Sequence, residues 1–157
     1  MKKLFLISNL LIMILVPSVT FGNVIDKLNE VGKFTKLNET LVKSGLNEDL
    51  KSNGPFTVFA PLDDAFAAIS AKTYYGLLSE NNKDKLIKIL GRHVFSKKIT
   101  SSEINGEINL KAINGEEIKI KKVNGIVYIN EAEVVTADVE VSNGVIHFIN
   151  RVLQPLN

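Results

Sequence analysis

The chain of 157 residues contains no cysteine and no tryptophan, and its two methionines, Met1 and Met13, lie near the start. Without cysteine there is no disulfide, no thiolate nucleophile and no zinc–thiolate site. A catalytic zinc site normally needs three protein ligands, and the chain has two histidines that are far apart in sequence. Glycine-rich phosphate loops and the Gly-x-Ser-x-Gly turn of many hydrolases are also absent. These absences predict a protein without a cofactor or metal and without catalytic activity.

The first 22 residues have the pattern of a secretory signal peptide. Two lysines give a basic start, residues 4–16 are apolar, and the segment ends in the small residue Gly22. The apolar stretch is shorter than the roughly 20 residues that span a bilayer as a helix. We therefore expect residues 1–22 to be removed, residues 23–157 to form one domain, and no stable membrane insertion after cleavage. The expected location is extracellular or periplasmic.

The positive net charge belongs to this leader. The whole chain carries 19 basic and 17 acidic residues, a net charge of +2, and Lys2 and Lys3 account for the difference. The remaining residues are therefore balanced, with 17 charges of each sign (19 − 2 = 17). A nucleic acid is not expected as a partner of such a chain.

Helical spacing dominates the first half of the predicted domain. Apolar residues at i, i+1, i+4 and i+7 after Asn23 predict a helix that Asn23 caps: Val24, Ile25, Leu28 and Val31. A second helix is expected from Phe34 to near Gly45. A third is expected over residues 83–90, with Asn82 as its cap.

A short strand is predicted between these helices. Residues 56–60 are apolar or β-branched, and prolines flank them on both sides. Asp63 follows, and its position predicts the N-cap of a short helix that continues through Ile69. Asp64 would then lie near the positive end of that helix.

From residue 99 onward the apolar period changes to two, as in strands. Ile118 and Ile120 are expected to face the core, with Lys119 and Lys121 in water. Residues 145–149 are apolar on both faces, which predicts a central strand. Asn-Gly pairs are typical of two-residue hairpin turns, and four occur here: Asn105–Gly106, Asn114–Gly115, Asn124–Gly125 and Asn143–Gly144. Helices followed by hairpin-linked strands predict an α+β domain.

Two blocks of this sequence resemble the signature blocks of the fasciclin-like domain family. The first is Phe-Thr-Val-Phe-Ala-Pro at 56–61 with Asp-Asp-Ala-Phe at 63–66, and the second is Asn-Gly-Val-Ile-His-Phe-Ile at 143–149. Residues 86–95 resemble the segment that carries the family's Tyr-His pair. The blocks supply the structural motif residues of this chain: Thr57, Phe59, Pro61, Asp63, Phe66, Asn143, Gly144 and His147. Three positions depart from the family pattern: Leu62, Arg92 in place of the tyrosine, and Asn150.

The resemblance implies a wedge-shaped β-sandwich of about seven mostly antiparallel strands, with several helices mainly from the N-terminal half. It also implies a non-enzymatic role. Family members are exported or surface-attached, many mediate adhesion, and a few bind carotenoids. Because fold alone does not fix function, adhesion is an analogy for this chain.

Four residues are candidates for partner binding. Arg92 and His93 occupy the place of the family's Tyr-His pair, and Asp138 with Val139 lies at the position of a short Asp-Ile motif linked to integrin binding in animal relatives. The alternative interpretation makes both His93 and His147 buried imidazoles with bonded nitrogens. It makes residues 138–141 an ordinary strand, with Val139 facing inward and Asp138 facing solvent.

The sequence leaves three functions open. The first is an exported interaction or adhesion module that binds a protein or glycan on a cell surface, in the matrix or in the envelope. The second is a carrier of a small apolar ligand, such as a lipid or carotenoid. The third, a hydrolase, requires turnover that His93→Ala or His147→Ala would abolish without loss of folding. The first is the prediction from the sequence.

Overall fold

A computed structural model of the chain describes residue 14 and residues 20–154. Most of the predicted leader and the last three residues lie outside the described residues. Within the described part, the five α-helices are α1 Val24–Val31, α2 Thr35–Ser44, α3 Leu46–Asp49, α4 Ala71–Leu77 and α5 Lys83–Gly91. Short 3-10 segments cover Asp63–Ala68, Glu80–Asn82 and Ser101–Glu103. The seven strands are β1 Phe56–Pro61, β2 Val94–Phe95, β3 Glu107–Lys111, β4 Glu117–Val123, β5 Ile126–Ile129, β6 Ala132–Val141 and β7 Gly144–Ile149.

The helix starts show which predicted caps form. Asn23 caps α1 in a capping box: its side chain accepts a hydrogen bond from the backbone N–H of Asp26, and the Asp26 carboxylate accepts one from the N–H of Asn23. The predicted cap of α5 is wrong. Asn82 precedes the helix but makes no side-chain bond to it. Its amide instead donates to the carbonyl of Gly76 at 2.8 Å, because Asn82 also ends a 3-10 turn that follows α4.

The predicted cap at Asp63 is also wrong, and the helix after it is a 3-10 segment that ends at Ala68. Asp63 lies inside that segment, whose start has no side-chain cap. Its carboxylate instead accepts a hydrogen bond of 2.9 Å from the backbone N–H of Lys36, in the first turn of α2. The residue at the N-cap of α2 is Phe34, whose side chain has no oxygen to cap the helix. A side chain 27 positions away therefore satisfies this helix start.

The strands form one hydrogen-bonded order, β2-β1-β7-β6-β5-β4-β3. The β1–β7 pair is parallel, and the other pairs are antiparallel. Strand β7 lies between β1 and β6, and five of its six residues are buried, as the doubly apolar sequence predicted. Ile118 and Ile120 are buried and Lys119 is exposed, as predicted, whereas Lys121 is half-buried, with its Nζ 5.6 Å from the ring centroid of Tyr128. The α+β fold of seven mostly antiparallel strands is confirmed.

Two hydrophobic cores lie on the two sides of β1 and β7. The helix-side core places helices against the outer face of these strands, and its largest members include Leu28, Phe34, Leu37, Leu50 and Ile146. The inner core joins β1, β2 and β7 to β4, β5 and β6 through Phe59, Phe95, Ile120, Ile129 and Ile149. The fold is therefore two packed strand layers with helices covering one of them.

Strand β6 joins the two layers. Its first residues pair with β5, and the strand then pairs with β7 through Val134, Thr136 and residues 139–141. The register shifts twice between Val134 and Val139, and Asp138 has a φ of 60°. Such a bulge bends a strand and strengthens its twist. The bulge therefore lies where β6 passes from one layer to the other.

Only one of the four Asn-Gly pairs forms the predicted two-residue turn. Asn124 and Gly125 connect β4 to β5, and their φ values of 51° and 81° are those of a type I′ turn. The second pair, at 114–115, lies in a five-residue loop between β3 and β4, and the first, at 105–106, precedes β3 without joining paired strands. In the fourth case the turn residues are Ser142 and Asn143, since Val141 pairs with Gly144.

Candidate functional site

His147 is a buried imidazole in the middle of the sandwich. Its side chain is 1% exposed and stacks on the ring of Phe59, with centroids 5.0 Å apart. Nε2 lies 2.7 Å from the carbonyl oxygen of Ile99 and must donate to it, because a carbonyl only accepts. Nδ1 is then the acceptor, and it receives the backbone N–H of Asp138 at 3.1 Å. Burial lowers the pKa of His147, which keeps the ring neutral.

Asp138 occupies the left-handed bulge of β6, but residues 139–141 pair regularly with β7, and Asp138 and Glu140 are exposed while Val141 is buried, as the strand interpretation predicted. Its carboxylate accepts the backbone N–H of Ser101 at 2.8 Å and also the Ser101 hydroxyl. Partial burial raises the pKa of Asp138, but the two hydrogen bonds from Ser101 outweigh it, so the pKa lies below its ordinary value. The Asp138 side chain is 38% exposed, and Val139 is half-buried. The carboxylate therefore positions the Ser101 segment against the bulge.

His93 is buried as well, at the end of α5. Nδ1 donates to the carbonyl of Ile89 at 2.9 Å, and Nε2 accepts the backbone N–H of Leu153 at 3.0 Å. Burial lowers the pKa of His93 to about 4. The ring therefore stays neutral at physiological pH and ties the helix to the segment after β7. Both of its nitrogens are occupied, which leaves no free atom for a general base or a metal.

Arg92 lies beside His93 but faces the β3–β4 loop. The residue is only 9% exposed, and its guanidinium forms an ion pair with Glu116. Glu116 is one of the loop residues that follow Ala112, and its carbonyl accepts the N–H of Ala112. The arginine therefore connects the end of α5 to a loop of the other strand layer. Nothing in the sequence around Glu116 marks it as the partner, since the two residues are 24 positions apart.

The remaining motif residues connect segments through buried contacts. Thr57 donates to the carbonyl of Lys97 and accepts the N–H of Ile99 at 2.8 Å. Asn143 accepts the N–H of Val24 and donates to the carbonyls of Leu50 and Ser52, at 3.0, 2.7 and 2.8 Å. Phe66 packs edge-to-face on Tyr74, with ring centroids 5.8 Å apart. These motif positions hold α1, the segment before β1 and the segment after β2 to the sheet.

Gly144 is required by close backbone packing. A Cβ placed on it would lie 1.9 Å from the carbonyl oxygen of Phe56, where β1 and β7 begin to pair. No side chain fits at that distance. The glycine of the second signature block is therefore a packing requirement of the parallel β1–β7 pair.

Among the described residues, the surface carries one aligned set of exposed aliphatic side chains, which we call the apolar row: Val123, Ile126 and Val135. They are 47%, 40% and 48% exposed. Val123 and Ile126 are direct partners in the β4–β5 register, and Ile126 and Val135 line the same depression of the surface. Directly paired residues share a face of the sheet. The sequence did not single out this row, because its alignment depends on the register of three strands.

A shallow depression of about 370 Å³ adjoins the apolar row. Ile126 and Val135 line it together with Ser101 and Ala137, which contact or neighbour Asp138. The Asp138 bulge and the apolar row are therefore parts of one region of the surface. Arg92 and His93 do not line this depression.

A second concavity of about 170 Å³, which we call the helix pocket, lies between α2, α4, α5 and the segment after β7. Its lining is mostly apolar and includes Phe66, Leu77, Leu86 and Ile89, with His93 at one side.

Across residues 20–154, no group of three or more histidine, aspartate or glutamate side chains is placed to hold a metal ion. None of the helices in that range is long and apolar enough to cross a membrane.

The fold and motif geometry agree with a known domain family. The family model described as "Fasciclin domain" matches residues 32–155. The chain belongs to the fasciclin family. Fasciclin domains are non-enzymatic interaction domains.

This chain aligns with several known proteins and covers a different share of each. Protein sll1483 of Synechocystis is 46% identical over 123 residues, which are 78% of this chain and 67% of that protein. Transforming growth factor-beta-induced protein ig-h3 of Sus scrofa is 35% identical over 85% of this chain but only 19% of its own length. The solved pair of FAS1 domains from the insect cell adhesion molecule fasciclin I superposes with a TM-score of 0.75 at 22% identity. This fasciclin chain spans 52% of that pair, which shares its fold.

Proposed function

We propose that this fasciclin domain is an exported interaction module that binds a protein or glycan on a cell surface, in the matrix or in the envelope. Export, to the medium or the periplasm, is supported by the pattern of residues 1–22. The interaction role is supported by family membership and by the fold shared with an insect cell adhesion molecule. The chemistry of the domain agrees with this role, because both imidazoles serve as internal hydrogen-bonding groups.

The apolar row is the observation that carries the proposed contact surface. Three neighbouring exposed aliphatic side chains form one apolar patch, and a partner that docks there removes the whole patch from water at once. Charged and aromatic side chains border the row at the next paired positions: Lys121, Tyr128 and Glu133. An apolar centre with a polar rim is the usual anatomy of a protein–protein interface. A protein partner is therefore favoured over a glycan.

The four residues predicted from the sequence take different parts in this proposal. Asp138 holds Ser101, which lines the depression beside the apolar row, whereas half-buried Val139 packs against the helix-side core. Buried Arg92 and His93 support the domain from inside and offer no exposed group to a partner. The contact surface would therefore lie on β4, β5 and β6.

The test compares two charge insertions at exposed aliphatic positions. Ile126→Lys with Val135→Lys disrupts the apolar row, whereas Val42→Lys changes an exposed aliphatic residue on α2, 63% exposed, that lies outside the row. Binding of the purified protein to intact cells and to the isolated envelope of the producing organism is measured. We expect the row variant to lose at least about tenfold in affinity, which is about 1.4 kcal/mol, and Val42→Lys to bind normally. Equal binding by all three proteins would refute this surface.

A carrier of a small apolar ligand is the second candidate, and the helix pocket is the observation that favours it. Its volume of about 170 Å³ encloses only part of a lipid or carotenoid chain. Purification from the native host, followed by absorbance spectroscopy and mass spectrometry, tests this function. A lipid or chromophore bound at one per protein would favour the carrier, and a protein free of ligand that binds cells saturably would favour the interaction module. Determining the N-terminus of the same sample tests removal of residues 1–22.

A further inference from the structure

The helix pocket has the size of one small ring. Its volume of about 170 Å³ compares with engineered protein cavities of about 150 Å³ that bind benzene. Apolar side chains form most of its wall: Pro61, Phe66, Ile69, Leu77, Leu86, Ile89, Leu90 and Val152. A compact apolar group of about six to eight carbons would fill it.

The polar atoms deep in the helix pocket are already engaged. The Tyr74 hydroxyl donates to the Glu39 carboxylate at 2.6 Å, and the Thr40 hydroxyl donates to the carbonyl of Leu37 at 2.7 Å. Both nitrogens of His93 are bonded, and its pKa of about 4 leaves the ring uncharged. The buried wall of the pocket therefore offers packing but no free polar group, and the remaining polar side chains of the lining, Thr73 and Gln154, are exposed at its edge.

The mouth of the helix pocket carries one charged side chain. Lys85, which is exposed on α5, is the single charged residue of the lining apart from the neutral His93, and no aspartate or glutamate lines the pocket. Within residues 20–154, Lys85 forms no ion pair. A ligand with a negative charge next to its apolar group would meet a favourable charge at the mouth.

We propose that the helix pocket binds a free small organic carboxylate, with an aromatic ring or short branched chain inside and the carboxylate at Lys85. This inference is independent of the interaction surface on β4, β5 and β6. The occupant is a soluble acid of low molecular mass, because the enclosed volume accepts one ring and not a long chain. The charge at the mouth predicts that the anion binds better than a neutral or cationic analogue of the same shape.

The experiment titrates the whole protein at neutral pH with three ligands that share the phenylpropyl skeleton and carry an anionic, a neutral or a cationic end group: 3-phenylpropionate, 3-phenylpropanol and 3-phenylpropylamine. Binding is followed by amide chemical shifts, with an expected Kd for the acid of about 1 mM or tighter. We expect shifts in α4, α5 and residues 152–154, and affinities that fall from acid to alcohol to amine. Absence of binding by the acid, shifts elsewhere, or equal affinities for acid and amine would each overturn the proposal.

Two variants locate the charge contact. Lys85→Gln is expected to remove most of the acid's advantage over the alcohol, which we put at about threefold for a solvent-exposed charge contact. Lys83→Gln, on the same helix but outside the lining, is the matched control and should keep that advantage. A loss of the advantage in both variants, or in neither, would overturn the role of Lys85.

A third variant blocks the helix pocket at its exposed edge, where Thr73 contributes to the lining. Thr73→Phe adds a ring at a lining position and should abolish acid binding, with folding checked by circular dichroism. Retained binding by the folded variant would contradict the site.

A peptide tests the source of the ligand. Acetyl-Gly-Gly-Phe presents the same ring and carboxylate on a peptide end, and we expect it to bind more weakly than the free acid. Tighter binding of the peptide would overturn a free acid as the occupant.

Discussion

The backbone N–H of Asp138 donates to Nδ1 of the buried His147 at 3.1 Å. Only a neutral imidazole can accept this bond, because both nitrogens of a protonated histidine are donors. The left-handed bulge in β6, with its φ of 60° at Asp138, is therefore held by the neutral form of a side chain in the next strand. His147 thus acts as an internal acceptor that fixes the place where β6 bends between the two layers.

The first prediction concerns pH. Burial lowers the pKa of His93 from 6.5 to about 4, so between these values the unfolded chain binds a proton that the folded chain does not. The free energy of unfolding is therefore highest above about pH 6.5 and falls by about 1.4 kcal/mol per pH unit toward pH 4 for this residue. His147, whose pKa is also lowered, adds a loss of the same sign. Urea denaturation between about pH 7.5 and pH 4.5 measures the fall.

The matched control for this prediction is His93→Gln. The variant should be less stable at neutral pH by about 2 kcal/mol, because two buried bonds are disturbed. Its stability should depend less steeply on pH, since one of the two titrating rings is gone. A pH dependence equal to that of the wild type would show that His93 is not the buried titrating group.

The second prediction concerns the contact between Asp138 and Ser101. Asp138→Ala removes the acceptor of two hydrogen bonds and places alanine at a φ of 60°, and should lower the free energy of unfolding by about 2–3 kcal/mol. Asp138→Asn should cost less, because asparagine tolerates this conformation and keeps one acceptor oxygen. Chemical denaturation of Asp138→Ala, Ser101→Ala and the double variant gives the coupling energy. Additive effects would contradict a direct contact.

The third prediction concerns Gly144. Gly144→Ala places a methyl group 1.9 Å from the carbonyl of Phe56 and must separate β1 from β7, so we expect a loss of at least about 3 kcal/mol or failure to fold. Gly76→Ala, in α4, is the control, since a Cβ there meets nothing within 4 Å. That variant should be as stable as the wild type or more stable by up to about 0.5 kcal/mol, because alanine favours helical backbone over glycine and Gly76 lies in the last turn of α4. Thermal unfolding measures both. A Gly144→Ala protein as stable as the wild type would contradict the close approach.

The fourth prediction concerns the cap that Asp63 supplies to α2. Asp63→Ala leaves the N–H of Lys36 without its acceptor and should lower stability by about 1 kcal/mol. Asp64→Ala, the neighbouring carboxylate, makes no such bond among the described residues and should change stability by less than about 0.5 kcal/mol. Chemical denaturation measures the free energy of unfolding of both variants. If both variants lost the same stability, the two carboxylates would contribute only through their negative charge, and the bond from Asp63 to Lys36 would not matter.

Local signals in the sequence predicted the elements and most of their faces. The spacing of Val24, Ile25 and Leu28 gave α1, and the alternation around Ile118 and Ile120 gave the core face of β4. Asn23 was predicted as a cap from its place directly before the apolar helical spacing, and its bonding partner, Asp26, is only three residues away. Such signals depend on residues within one turn or one strand, and the amino-acid order displays them directly.

Contacts between distant segments could not be predicted in this way. Asp63 looks like a local cap, but its partner is in α2, 27 positions earlier. Asn143–Gly144 looks like a hairpin turn, but only Asn143 is a turn residue, and its side chain reaches Val24 and Leu50. The apolar row was missed for the same reason, since it exists only after three strands adopt their register.

The position of β6 in both strand layers has a consequence for how the domain opens. Its first residues belong to the ladder with β5 and its last ones to the ladder with β7, so neither layer can separate without breaking bonds along β6. We therefore expect amide hydrogens of β5 and of β7 to exchange with solvent through the same rare, whole-domain event, and to share one protection free energy.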